Sequence, residues 1–285
     1  MKKRKLALAL AVTALITACS SGDDGADYVV CPVVRPISVE IDVDVTRASV
    51  IETSTLQHFY MYGAGTTYEV TRQTNGTWTI SPDNWPSSAE DDKNVTFYAY
   101  NTDAASDFDS SGNNVTLSVA EDAFAQKDLL VATTTTSYDA TGGSGKVSLT
   151  FDHVCTAPRV SLTMTNTLRN ALGSDNLKVT KVLLRDIKKS GKYSLTTGEW
   201  TVNDETTNYT LTNNTDGITV TTEQQFLPCD YLFLIPQSLN GASIDVTYQI
   251  GAKEPRTKNI LLNKTLEKGN TNPINIPIGT SFNYE

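Results

Sequence analysis

The sequence predicts an all-β protein of the sandwich type. Short runs of alternating apolar and polar residues recur along nearly the whole chain, with turn residues between them, the pattern expected of a β-sandwich. No long amphipathic helix and no short fixed-period repeat interrupts them. Thr, Asn, Ser and Tyr recur throughout, and these suit exposed antiparallel sheet.

The most regular run is Ile37-Ser-Val-Glu-Ile-Asp-Val-Asp-Val-Thr46. Ile37, Val39, Ile41, Val43 and Val45 share one face of a strand and an acidic set shares the other, because side chains alternate with period two. Arg47 and Ala48 follow at once. Strands are then expected at 55–62, 68–72 and 77–80, the last two joined through Asn75-Gly76, residues that tolerate the positive φ of a tight hairpin. Trp85-Pro86 and a polar loop lead to a strand over 94–100, and 103–113 reads as a loop. Val115, Leu117 and Val119 mark a strand, 120–127 a short helical turn, and 128–132 a short buried run. A Gly-rich turn at 141–145 precedes Val147, Leu149 and Phe151. Pro158 suggests a domain boundary, since proline brings no amide donor to a central strand. The second half repeats the style, with strands expected at 160–164, 177–184, 193–195, 200–202, 209–211, 218–220, 231–235, 244–250 and 259–262. The chain closes on a second alternating run in which Ile274, Ile276, Ile278, Phe282 and Tyr284 fall on one face.

With 285 residues, 39% of them hydrophobic and 19% charged, the chain is globular and long enough for one large or two ordinary domains. Its formal net charge of -9 argues against nucleic acid as a partner, because phosphate binding needs clustered Lys and Arg.

The N-terminus sets the compartment. Lys2 to Lys5 are basic, and Leu6 to Ile16 is apolar but too short for a mature membrane-spanning helix. Ile16-Thr17-Ala18-Cys19 resembles a bacterial lipobox, so residues 1–18 read as a signal peptide and Cys19 as the lipidated residue, anchored in the outer membrane. Residues 19–36 form a tether, acidic at first, similar to the surface-export signals of Bacteroides-type lipoproteins. Of the remaining cysteines, Cys31 lies in the tether; Cys155 and Cys229 lie in the folded body. In an oxidising compartment the last two could form a disulfide or stay as buried thiols, and their spacing fits no metal site.

Several constellations resemble chemical sites without completing them. Asp107 to Ser118 begins like a calcium loop but has Ser118 where the bidentate Glu belongs. Gly142 to Lys146 lacks the first glycine and the Ser/Thr of a phosphate loop. His58 and His153, the only histidines, have no second His near them in sequence to share a metal. Asp91 and Asp92 read as a solvated loop in place of a glycosidase pair, and the Asn-x-Ser/Thr triplets as chance in a Thr-rich chain. No cofactor is expected, and no enzyme.

A family resemblance rests on Asn75-Gly76-Thr77-Trp78, Trp85-Pro86, Val95-Thr-Phe-Tyr-Ala-Tyr100, Asp128-Leu-Leu-Val-Ala132 and Val147-Ser-Leu-Thr-Phe-Asp-His153, in that order, then Leu232-Phe-Leu-Ile-Pro-Gln237 before 244–248. The chain resembles fimbrillin-like proteins, the FimA-like and Mfa-like type V pilins of Bacteroides-type bacteria. The resemblance implies two transthyretin-like β-sandwich domains in tandem, here 37–157 and 158–285. It implies a surface lipoprotein that is cut by an Arg-specific protease, here between Arg47 and Ala48, which removes the first strand with its lipid. It implies that the C-terminal strand of another fimbrial subunit then fills the groove, so that 274–284 would be a donor strand and the mature location the fimbrium. The alternation at both ends agrees with one groove accepting either strand. Refilling five β-branched sites is worth on the order of 10 kcal/mol gross, and main-chain pairing supplies the register. On this reading the donor's isoleucines are exposed in the monomer. The alternative is a lipoprotein that stays tethered at the surface and binds glycans, or serves as a pilus accessory or anchor.

Overall fold

The structure is a computed structural model. It describes residues 35–43, 56–101, 104–229 and 231–282. The first half supplies β1 (Ser38–Val43), β2 (His58–Gly63), β3 (Thr66–Arg72), β4 (Trp78–Ser81), β5 (Val95–Asn101), β6 (Ala105–Asp109), β7 (Asn114–Ser118), β8 (Leu130–Thr136) and β9 (Lys146–His153). The second supplies β10 (Val160–Met164), a helix α1 (Asn166–Leu172), β11 (Leu177–Lys188), β12 (Ser190–Ser194), β13 (Trp200–Val202), β14 (Thr206–Thr219), β15 (Gln225–Phe226), β16 (Gln237–Ser238), β17 (Ser243–Ile250), β18 (Arg256–Leu261), β19 (Thr265–Leu266) and β20 (Ile274–Ile278).

Seven strands of the first half form one sheet in the order β1-β9-β8-β5-β2-β3-β4. The sheet curls until its ends meet. Ile37 donates its amide to Asp83 (3.0 Å), and Trp85 donates to Arg35 (2.7 Å). Inside lie Phe59, Phe97, Phe151, Tyr68 and Trp85, packed edge to face or tilted at centroid distances of 5.1 to 6.4 Å. The alternating burial of β5 and β9 gives this core its apolar lining. The hairpin at Asn75-Gly76 is present, with Gly76 at φ 84 and Gln73 donating to Thr77 (2.7 Å).

The second half is organised around the sheet β14-β11-β17-β18, with β15-β10-β20 beside it. A further sheet, β13-β12-β7-β6, draws two strands from each half. Its buried side chains, among them Val115, Leu117 and Tyr193, join the same core as Leu162, Leu184 and Ile244. Buried side chains therefore run continuously across residue 157.

Several sequence expectations change here. The loop expected at 103–113 contains β6, which closes onto β7. The strands expected at 209–211 and 218–220 fall on one long strand, β14, paired with β11 across three register shifts. The segment 231–235 is a strand only at the Thr156–Leu234 bridge. The helical turn expected at 120–127 is a run of turns held by Asp122. Helix α1, absent from the expectation, is capped by Thr165, whose hydroxyl accepts from the Leu168 amide, and buries Leu168 and Leu172.

Candidate functional site: the two terminal strands

The first strand lies where a strand can be detached. β1 is at the end of the seven-stranded sheet and among the described strands its ladder is with β9, in parallel, from Ser38 opposite Lys146 to Val43 opposite Phe151, while the residues just before it bridge to the segment after β4 at Pro36–Asn84. A hairpin partner would have to be antiparallel, so parallel pairing to a strand more than a hundred residues on requires a long return of the chain. Ile37 is buried, whereas Val39 and Ile41 are half-buried against the same core. On its outer face Glu40 pairs with Lys146 (2.8 Å) and accepts from the Ser148 hydroxyl (3.3 Å). The gross burial of these three side chains is therefore about 3–6 kcal/mol, less than the expectation for five fully buried residues. Cys19, Val45, Arg47, Ala48 and Tyr284 lie outside the described residues, and so does the side chain of Val43.

Two local devices hold β1. The first is Gly145, at φ +62, whose carbonyl accepts the Ser38 amide (3.1 Å). A Cβ there would overlap the Pro36 carbonyl oxygen, so the close backbone approach requires glycine. The Gly-rich turn before β9 thus serves strand docking. The second is Arg35. Its guanidinium donates to the Ala89 carbonyl (2.6 Å), the Pro86 carbonyl (3.3 Å) and the Asp91 carboxylate (2.6 Å). Burial pushes the phenol of nearby Tyr138 up, with the Asp91 charge adding to the effect and Arg35 opposing it.

The last strand is seated in its own subunit. β20 runs parallel to β10, with Ile274 opposite Val160, Ile276 opposite Leu162 and Ile278 opposite Met164. All three isoleucines are buried. The exposure expected of them in the monomer is thus corrected: their apolar face is covered by the chain's own second core. The strand ends at Ile278, and a single 3-10 turn at Thr280–Phe282 turns Phe282 inward onto Tyr248, at a centroid distance of 5.2 Å. Pro277 is exposed between two buried isoleucines. Ile274 donates its amide to Arg159 (2.9 Å), and Ile278 accepts at its carbonyl from Thr165 (3.0 Å), so it is the isoleucine backbone that faces β10 and the missing donor of Pro277 points away.

The other sequence candidates resolve into structural roles. Cys155 and Cys229 are buried thiols and not a disulfide. The Cys155 sulfur accepts from the Leu129 amide (3.5 Å), while the Cys229 thiol is directed at the carbonyls of Tyr231 (3.6 Å) and Ala123 (3.9 Å). Asp109 closes its own turn by accepting from Ser111, and those hydrogen bonds hold its carboxyl below the usual range. Asp91 is taken by Arg35, and Asp92 lies 3.3 Å from Lys93. His58 meets Glu69 at the surface (3.0 Å), and His153 meets Asp128 in the interior (2.5 Å). Among the described residues no group of three or more His, Cys, Asp and Glu is placed to hold a metal ion. Among the same residues no helix is long and apolar enough to cross a membrane.

Sequence reasoning missed Arg35 and Gly145. Arg35 lay inside the expected tether, and nothing in the sequence ties it to a loop more than fifty positions on. The positive φ of Gly145 was within reach of the Gly-rich run, but its contact with Pro36 was not.

Comparison with solved structures places the same architecture in Bacteroides-type proteins. A fimbrial protein from Bacteroides vulgatus superposes with a TM-score of 0.60 at 16% identity, covering 87% of this chain and 96% of that one. A candidate cell adhesion protein from Bacteroides ovatus gives 0.55 at 16% identity, covering 86% and 92%. One from Parabacteroides distasonis gives 0.54 at 10% identity, covering 86% and 88%. At these identities the likeness is one of fold. No curated protein matches the sequence. The sequence model of the fimbrillin-like family matches residues 41–283, from within β1 to one residue past the last described, and the protein belongs to that family.

Proposed function

We propose that the protein is a pilus-type adhesion subunit, displayed on the cell surface as a lipoprotein through Cys19. In this reading an Arg-specific surface protease cuts between Arg47 and Ala48, β1 leaves with the lipid, and the C-terminal strand of another fimbrial subunit takes its place. The division into sandwich domains at 157/158 belongs to the same proposal. The observation that carries it is the seating of the 35–43 segment: one ladder to β9, a short bridge to the segment after β4, one fully buried side chain among those described, and a position at the sheet end. Such a strand can be lost while the other six strands of the sheet, which carry the aromatic core of β2, β5 and β9, remain; what is uncovered is the groove that Ile37, Val39 and Ile41 fill. Main-chain pairing then gives an incoming strand its register, as in strand complementation generally.

The cis seating of β20 adds a requirement. To donate, the strand must first leave β10, so donor and acceptor are both opened before they join. Asp at Ile276 and Ile278 would therefore unfold the subunit itself and cannot isolate the donor step. Arg47→Ala can. Purified protein treated with an Arg-specific protease should give a boiling-resistant ladder on a gel, and Arg47→Ala should give none. A full ladder from Arg47→Ala would refute strand replacement at this site. Wild-type protein that stays uncut and retains its lipid on cells would favour the tethered reading.

A further inference from the structure

The two terminal strands share a pattern, a proline followed by three alternating aliphatic residues, and differ at two positions that matter. Pro36-Ile37-Ser38-Val39-Glu40-Ile41 aligns with Pro273-Ile274-Asn275-Ile276-Pro277-Ile278. Each runs parallel to its neighbour, β1 to β9 and β20 to β10. Setting proline on proline would carry Ile274, Ile276 and Ile278 into the places of Ile37, Val39 and Ile41. This is the register in which one strand best imitates the other.

In that register the C-terminal strand is a poor occupant. The Ser38 amide points to β9 and the Ile37 amide points away, to Asp83. By the two-residue repeat the Glu40 amide also points to β9. With strand direction and inward face both fixed, Pro277 falls at Glu40 and brings no amide to that bond. Two residues before the first isoleucine stands Asn272, where β1 has Arg35. The slot around Arg35 consists of acceptors: two carbonyls and the Asp91 carboxylate, converging on one guanidinium. The planar, permanently charged fork of arginine satisfies such a set; an asparagine amide offers two donors on a shorter arm and no charge.

We propose that the groove vacated by β1 is built for a strand from a different kind of subunit. That strand carries an arginine two residues before its first buried apolar residue and a non-proline at the place of Glu40. It is taken in preference to the C-terminal strand of a second copy of this chain. The inference rests on the strand-replacement reading above. It makes this subunit a link between unlike neighbours, with Asp91 as the residue that selects the strand entering its groove.

The test uses the full chain, cut with an Arg-specific protease that is then inhibited. Fluorescent peptides are titrated by polarisation: residues 35–43, residues 272–280, and the latter carrying Asn272→Arg or Pro277→Glu. Residues 35–43 should bind most tightly. Asn272→Arg should tighten 272–280 by about tenfold, or about 1.4 kcal/mol, and most of that gain should be lost in an Asp91→Asn protein, which keeps only the two carbonyl acceptors and whose fold is checked by circular dichroism. Pro277→Glu should tighten binding in both proteins. Unmodified 272–280 binding as well as 35–43, or an Asn272→Arg gain that is undiminished in Asp91→Asn, would overturn the selectivity and leave strand replacement standing. If no peptide binds, 35–43 included, strand replacement itself is wrong and this inference falls with it.

Discussion

Replacing Gly145 by alanine tests whether β1 is the weakly held part of its sheet. Two effects combine at this site. An L-residue at φ +62 costs about 1–2 kcal/mol of backbone strain. The added Cβ also overlaps the Pro36 carbonyl oxygen, a backbone atom that no rotamer change can move away. Relief requires the 35–38 segment to shift, against about 3–6 kcal/mol of gross apolar burial, before any ordering entropy, and the hydrogen bonds of residues 35, 37 and 38. Gly142→Ala is the control, because Gly142 has φ +65 and an added Cβ there would meet no atom within 4 Å. It carries the strain without touching β1. In native-state hydrogen exchange the Ser38 and Glu40 amides should exchange roughly 5–30-fold faster in Gly145→Ala than in Gly142→Ala, the factor for about 1–2 kcal/mol of overlap with Pro36, since the φ strain is common to both variants and cancels. Amides of the central strand β5 should change little. Equal exchange in the two variants, or a loss of protection spread evenly through the sheet, would refute the claim that β1 opens on its own.

Ile278→Ala should destabilise the intact monomer by about 2–5 kcal/mol, because the side chain is fully buried in cis; half-buried Ile41→Ala should cost clearly less, and equal small losses in urea melts would mean that β20 is not seated. For Asp245, burial alone would raise the carboxyl, but hydrogen bonds from Asn259 (2.6 Å) and Arg185 (2.5 Å) and the Arg185 charge hold it below its ordinary value. A lowered folded value means stability that is present above the unfolded value of about 3.9 and lost as pH falls through the folded one. Asp245→Asn should therefore show a flatter fall of melting temperature below about pH 4 than wild type, and identical acid limbs would remove Asp245 from the account. Cys19→Ala should abolish palmitate labelling and free the protein from the membrane fraction; labelling equal to wild type would refute lipidation at Cys19.

The sequence determined the strands that carry their own signal. Alternation marked β1, β5 and β20, and Asn75-Gly76 fixed the β3–β4 hairpin, because a two-residue period and a positive-φ turn are local properties of the chain. It also carried enough ordered motifs to indicate the family. What alternation cannot report is the partner. A strand with one apolar face reads the same whether its neighbour precedes it, follows it or belongs to another molecule. Only the tertiary structure decided that β1 pairs in parallel with β9, that the β6–β7 hairpin adds to β12 and β13, and that Ile274, Ile276 and Ile278 are covered within their own subunit. The same holds for Arg35, whose three acceptors lie more than fifty residues away. Those contacts are set by loop closure and packing over long separations, which no window of the sequence contains.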